Sequence, residues 1–294
     1  MARVTQRRRV SRYAVDAPPT AREDVLAVEE PLQIRVGSAD ALEGPAGPGG
    51  LDLAVTMRTP GHDFDLVAGF LVGEGIVGRP EDLVAMRYCA GTDEQGRQTY
   101  NVVEATLRRG IPLPVAAQRA VTTTSACGIC GTTSIEQIRR ASPPHAPDAT
   151  TFELGMLLAL PERLREKQSL FARTGGVHAA GLFDATGRLA CLREDVGRHN
   201  AVDKVIGWAL REGRLPLTGT VVQVSGRASF ELVQKAHLAG IAVLAAVGAP
   251  SSLAAELADS VGLTLLGFSR GTSLNAYTHP QRVAAGPARA GAGD

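Results

Sequence analysis

Cysteine is scarce in this chain: four residues in 294, too few for a disulfide-held scaffold of this length. Charge imbalance is also missing. The net charge is +1, without the basic excess of a general nucleic-acid binder. No apolar run reaches the ~20 residues that span a bilayer. The basic start, Met1 to Arg12, has no apolar stretch behind it, so no secretory signal is read. These absences leave a soluble, cytoplasmic protein as the expectation, long enough for one large or two modest domains. In a reducing compartment a close cysteine pair is more often catalytic or metal-binding than structural.

There is one such pair, Cys127-Gly128-Ile129-Cys130. It lies between Thr122-Thr123-Thr124-Ser125 and Gly131-Thr132-Thr133, a small and polar setting that suits exposed, movable thiols. Structural zinc commonly needs a second pair. Cys89 and Cys191 stand alone in apolar contexts and read as buried small hydrophobes, while His62, His145 and His178 form no ligand-spaced pair. A thioredoxin-like dithiol needs an early βαβ frame, and this pair sits mid-chain. Deaminase chemistry needs H-x-E followed by P-C-x-x-C. Here Ala180 occupies the Glu position after His178, and Ala126 replaces the proline. A sulfur carrier needs a nucleophilic thiol on a mobile loop, and the pair is compatible with that.

Punctuation by proline, glycine and apolar periodicity divides the chain. Residues 1–20, Arg-rich then Pro-rich, read as a flexible basic arm. Residues 21–141 read as a smaller mixed α+β region carrying the cysteine loop. Within it are a strand-like run from Val25 to Val36, a Gly/Pro/Ala segment at 37–50, a returning strand from Leu51 to Arg58 and a helix opening at Pro60-Gly61-His62-Asp63. Tyr100 to Arg108 alternates as a strand does. Capping-box spellings at Thr133 and Ser134 start a helix just after the cysteines, and Ser142 to Thr151 reads as a linker. From 152 to 284, strands alternate with helices, which argues for an α/β layered domain. Pro161 is expected to break the first helical run, and Asn200 to cap a later helix. Residues 285–294 read as a disordered tail.

Two polar clusters stand at strand ends. Glu194 to Asn200 crowds a helix entrance, with Arg198 offering a planar fork for phosphate and His199 a group that titrates near neutrality. Ser225-Gly226-Arg227-Ala228-Ser229 joins a strand to a helix N-terminus, where amides and the helix dipole favour anions. Gly248 to Ser252 and Phe268 to Ser273 follow the next two strands. Three such turns at successive strand ends favour a phosphate or nucleotide site.

Together these features resemble the formate dehydrogenase accessory sulfurtransferase family, FdhD. The resemblance is carried by Cys127 to Cys130, Arg173-Thr174-Gly175-Gly176-Val177-His178, Glu194 to Lys204, Ser225 to Ser229 and Tyr277-Thr278-His279-Pro280-Gln281-Arg282. It spans roughly residues 22–284 and leaves out the Arg-rich arm and segment 37–50. It implies a cytidine-deaminase-like fold, a homodimer, and a sulfur carrier working between a cysteine desulfurase and formate dehydrogenase. The acceptor it implies is the molybdenum bis(pterin guanine dinucleotide) cofactor, bound through its guanine nucleotide moiety. Cys127 is then the persulfide carrier and Cys130 its helper. Phe268, Ser269, Arg270, Gly271, Thr272 and Ser273 match the family's cofactor-binding stretch. Arg198, His199, Ser225 and Arg227 join them as pocket candidates from the physical reading. No resident metal, nucleic acid or membrane is expected. A cofactor-binding chaperone without catalysis and a CxxC zinc or redox module are the rivals.

Overall fold

The computed structural model describes residues 3–39, 50–89, 91, 99–112 and 148–285. It opens with an antiparallel hairpin of β1 (Thr5–Ala14) and β2 (Ala17–Ala27). The next elements are β3 (Glu30–Ser38), β4 (Leu51–Arg58), α1 (Asp63–Gly73), β5 (Leu83–Tyr88) and β6 (Val102–Leu107). Their four strands form one sheet in the order β4-β3-β6-β5. After residue 148 come β7 (Phe152–Glu153), α2 (Leu154–Lys167), α3 (Ser169–Thr174), β8 (His178–Asp184), β9 (Leu189–Asp195) and α4 (Arg198–Arg211). Then follow β10 (Thr220–Val224), α5 (Phe230–Leu238), β11 (Val243–Ala246), α6 (Ser252–Ser260), β12 (Thr264–Arg270), β13 (Ser273–Ala276) and β14 (Val283–Ala284). The second sheet runs β13-β12-β11-β10-β8-β9, with β10, β11 and β12 mutually parallel.

The period-2 pattern of the central strands explains the layering. Val221, Val243, Ala245 and Leu266 face α2 and pack on Phe152, Leu157, Leu160 and Leu164. Their neighbours Val222, Leu244, Ala246 and Leu265 face a larger core. That core takes in α1, α4, α5 and α6 together with Leu32, Ile34, Val36, Val103, Ala105 and Leu107 of the four-stranded sheet. One apolar interior therefore joins segments from both sides of residues 113–147. Each such leucine or valine contributes about 1.5–3 kcal/mol by leaving water.

Helices α1 and α4 meet at two glycines. A Cβ on Gly69 would lie 1.8 Å from the Asp203 carbonyl oxygen, and one on Gly207 1.8 Å from that of Asp65. Any side chain at either position would collide with backbone. Beside this crossing, Lys204 Nζ sits 2.7 Å from Asp195 Oδ2, both side chains at most 1% exposed. Asp195 also accepts hydrogen bonds from the Thr59, Gly197 and Asn200 nitrogens, and Lys204 donates to the Thr59 carbonyl. The network ties the end of β4 to the β9–α4 junction.

Several expectations are corrected. Much of the stretch read as a flexible arm is strand: Thr5–Ala14 pairs antiparallel with Ala17–Ala27, with a register shift between Arg12 and Ala14, and across the two-residue turn the strands satisfy each other's backbone groups. The run from Val25 to Val36 is two strands, β2 and β3. Pro161 does not break its helix; α2 runs through it. Leu157, Leu160 and Leu164 are buried around the proline, and their packing outweighs its cost of about 3 kcal/mol. Asn200 lies inside α4, whose N-cap is Gly197. Its amide instead donates to the Met57 carbonyl, at 2.7 Å, and to Asp195. Cys191 is buried as expected, while Cys89 is half-buried, its Sγ 3.7 Å from a Glu104 carboxylate oxygen. The helix expected near Ser134, most of segment 37–50, the greater part of the Ser142–Thr151 linker and nearly all of the 285–294 tail lie outside the described residues.

Candidate functional site

Parallel strands gather the carboxyl ends of β10, β11 and β12 at one edge. Antiparallel β8 brings its start to the same edge, with His178 opposite Asp195 of β9. A cleft of about 820 Å³ opens there, in the position where open α/β sheets hold ligands. One wall is α2 and α3, with Leu158, Leu164, Arg165 and Phe171; the other is the sheet edge, with His178, Ser225, Val247, Arg270 and Gly271. Arg165 stacks over Phe171, 4.1 Å from the ring centroid. A smaller hollow of about 450 Å³ lies by the end of α1. Its Asp82 is already paired with Arg108 at 3.0 Å, so the larger cleft is the candidate site.

The structure brings together some of the residues singled out from sequence and not others. Ser225, Arg270 and Gly271 line the cleft. Ser225 also extends the sheet, its Oγ accepting from the Ala179 amide at 2.9 Å. Phe268 adopts φ 51° and Gly271 φ 61°, a left-handed backbone that is unusual for phenylalanine. The Arg270 guanidinium lies 5.6 Å from the Phe268 ring. Ser269 is fully buried, and its Oγ has no hydrogen-bond partner among the described residues. Thr272 and Ser273 are exposed on the turn into β13. Arg198, His199 and Arg227 do not line the cleft. Cys127 and Cys130 lie outside the described residues.

The strand-end turns differ from the expected row of open anion sites. The Gly248 amide donates to the Gly226 carbonyl at 3.0 Å, that of Ala228 to Ala249 at 3.3 Å, and that of Ser251 to Ala228 at 3.1 Å. These amides bind each other, and α6 is capped by its own Ser251 side chain. The exposed polar groups of the edge are therefore side chains more than backbone.

Arg198 and His199 occupy the first turn of α4, which has no acidic residue. The Arg198 cation there opposes the helix dipole, so it does not serve helix stability. Burial, and then the nearby Arg227, push Arg198 below the usual guanidinium range. His199 Nε2 lies 2.7 Å from Glu231 Oε2 and 3.2 Å from Ser229 Oγ. Both partners share one ring nitrogen, which excludes a serine–histidine–carboxylate relay, since that needs opposite nitrogens.

His178, which the sequence offers only within the Arg173–His178 stretch, belongs with these cleft residues. It lines the cleft over Gly226, where a Cβ would meet its Nδ1 at 3.4 Å. Burial, Arg198 and His199 all lower its pKa, against a smaller opposing effect from Asp195. These effects favour the neutral imidazole. The available signal was Gly175-Gly176 ahead of it: Gly175 ends α3 at φ 65°, and both glycines line the cleft.

Fold and site define an α/β protein with a candidate ligand cleft along the carboxyl edge of a mixed sheet. The FdhD/NarQ family model matches residues 27–284, and the chain belongs to that family. The sulfur carrier protein FdhD of Nocardia farcinica is 55% identical over 282 residues, covering 96% of this chain and 95% of that protein. The protein of the same name from Streptomyces avermitilis is 51% identical over 287 residues, covering 97% of each chain. The one from Thermoplasma acidophilum is 42% identical over 275 residues, covering 94% of this chain and 92% of the other. A crystal structure from Desulfotalea psychrophila, assigned as a formate dehydrogenase accessory protein, shares the fold. Its TM-score is 0.70 at 23% identity, with 96% of this chain and all of the other covered.

Proposed function

We propose that this chain is a sulfur carrier that serves a formate dehydrogenase. The observation that carries the reading is its 55% identity, across nearly the whole of both chains, to a protein named as a sulfur carrier. The Cys127 thiolate attacks the outer sulfur of a cysteine desulfurase persulfide. The desulfurase thiolate leaves, and Cys127 holds the sulfur as a persulfide. Attack of the Cys130 thiolate on the inner sulfur then forms a Cys127–Cys130 disulfide and expels hydrosulfide, which supplies the sulfur ligand to the acceptor. A dithiol reductant resets the pair. The acceptor is the molybdenum bis(pterin guanine dinucleotide) cofactor, carried as cargo. Arg270 and the Phe268 to Ser273 turn hold its charged and planar parts, and His178 faces it from the same sheet-edge wall. On this reading the scaffold is cytidine-deaminase-like, with Ala180 buried in the core instead of an acid/base residue, and the protein works as a cytoplasmic homodimer.

The test is mass spectrometry after incubation with a cysteine desulfurase and cysteine. A gain of ~32 Da, one sulfur atom exchanged by thiol chemistry, is expected on the peptide bearing Cys127 and is lost in Cys127→Ala. That variant should leave the client dehydrogenase inactive. Full client activity in Cys127→Ala would sink sulfur transfer in favour of a chaperone that only binds and delivers the cofactor.

A further inference from the structure

The β1–β2 ribbon lies almost wholly before residue 27, where the family match begins, and the sulfur-transfer reading makes no use of it. At about 3.3 Å per residue it extends roughly 30 Å. Every residue from Ser11 to Glu23 is exposed. Among the described residues, its bonded contact with the body lies at its base. There Arg173 of α3 donates to Thr5 Oγ1 at 3.2 Å, and Ala27 comes within 4.0 Å of where a Gly176 Cβ would stand. A two-stranded ribbon with both faces in water is marginally stable, and a third strand stabilises it.

Charge and edge chemistry define what that third strand is. Residues 3–27 carry six arginines against three acidic residues. Arg7 pairs with Glu23 at 3.4 Å and Arg22 with Asp24 at 3.5 Å. Arg8, Arg9 and Arg12 have no ion pair within 4 Å among the described residues. On β2, Pro18 and Pro19 lack the amide needed to extend the sheet. On β1 there is no proline, and among the described residues no strand pairs with its outer edge. A second copy of this chain is disfavoured there. Two-fold antiparallel pairing of β1 with itself, centred on the basic stretch, sets arginine beside arginine, and like charges in register are destabilising. At the tip, Tyr13 is 76% and Val15 90% exposed, offering apolar contact next to the charges.

The geometry points to β1 as a docking edge for an extended acidic segment of a protein partner, which adds to the ribbon as a third strand. The ribbon's base rests on α3 and Gly176, whose neighbours Phe171 and Gly175 line the cleft. A partner held on β1 is therefore brought beside the cleft mouth. The choice of candidate partners, the sulfur donor or the client, rests on the sulfur-carrier reading.

The experiment measures binding of the full chain to purified cysteine desulfurase and, separately, to purified formate dehydrogenase at low and high salt. It compares wild type with the triple variant Arg8→Glu, Arg9→Glu, Arg12→Glu and its Gln counterpart, each checked for an unchanged melting curve. The expected result is salt-sensitive wild-type binding to one of the two proteins, weakened about tenfold or more in the Glu variant and less in the Gln variant. Equal binding by wild type and a folded Glu variant overturns the proposal. So does wild type that binds neither protein, a ribbon-dependent affinity for single-stranded RNA in their place, or an oligomeric mass that changes with the substitutions. Loading of Cys127 by glutathione persulfide needs no docking partner. Its failure in wild type counts against the sulfur-carrier reading, and its success alongside unaltered protein binding counts against the docking edge alone.

Discussion

Two polar clusters at strand ends look alike in sequence and behave differently in the fold. In the Glu194–Lys204 cluster most polar atoms turn inward. Asp195, Asn200 and Lys204 are buried and bonded to Met57 and Thr59, and Glu194 caps α3 through the Leu170 and Phe171 amides at 2.9 and 2.8 Å. In the Phe268–Ser273 cluster they turn outward or stay unpartnered. Arg270 and Gly271 face an open cleft, and the buried Ser269 hydroxyl has no partner among the described residues. Density of charged residues does not separate a structural knot from a ligand site. What separates them is whether the bonding capacity is already filled from within.

Substitution sharpens that contrast. Lys204→Met, which leaves Asp195 buried without its cation, should cost about 3–5 kcal/mol, read as loss of folded protein in urea titration. A near-neutral effect would place Lys204 outside the structural class. Gly207→Ala drives a methyl into the Asp65 carbonyl and should cost about 1–3 kcal/mol or more, read from the shift in melting temperature. Asp65 comes third. Burial raises its pKa, but hydrogen bonds from His62, Arg193 and Arg211 outweigh that and hold it at about 2. Because the folded pKa is depressed, its contribution is complete above the unfolded value near 4 and fades as pH falls toward 2. Wild type and Asp65→Asn should differ by on the order of 2 kcal/mol at pH 7 and converge in acid. A difference independent of pH would show that the carboxylate charge is not the cause. Arg270→Ala, in the open cluster, should shift stability by no more than about 0.5 kcal/mol while lowering client dehydrogenase activity. A large stability loss there would erase the contrast.

The β10–α5–β11–α6–β12 succession was legible because alternating apolar residues such as Val221 and Val222 divide between two cores, and that period survives any tertiary context. The strand-end turns were legible as places, and Ser225 and Arg270 from them line the cleft. Their bonding was not, since the pairing of Gly226 with Gly248 depends on two strands lying side by side. Arg198 and His199 stand out in sequence because the helix start is visible there, whereas its rotation relative to the cleft is not. Pro161 and the Arg-rich start were misread for a shared reason. Local propensity and composition were weighed without the partners, Leu160 and Leu164 on one hand and the facing strand β2 on the other, that decide the outcome.

The glycine crossing of α1 and α4 sets the size of the cooperative unit. One helix comes from before residue 113 and the other from after residue 147, and they touch backbone to backbone with no side chain between them to yield. The two sheets share one apolar core across this crossing, so heat should melt both in a single transition. The crossing therefore makes a rigid floor beneath the two sheets, and a hinge between α1 and α4 would have to pull backbone from backbone.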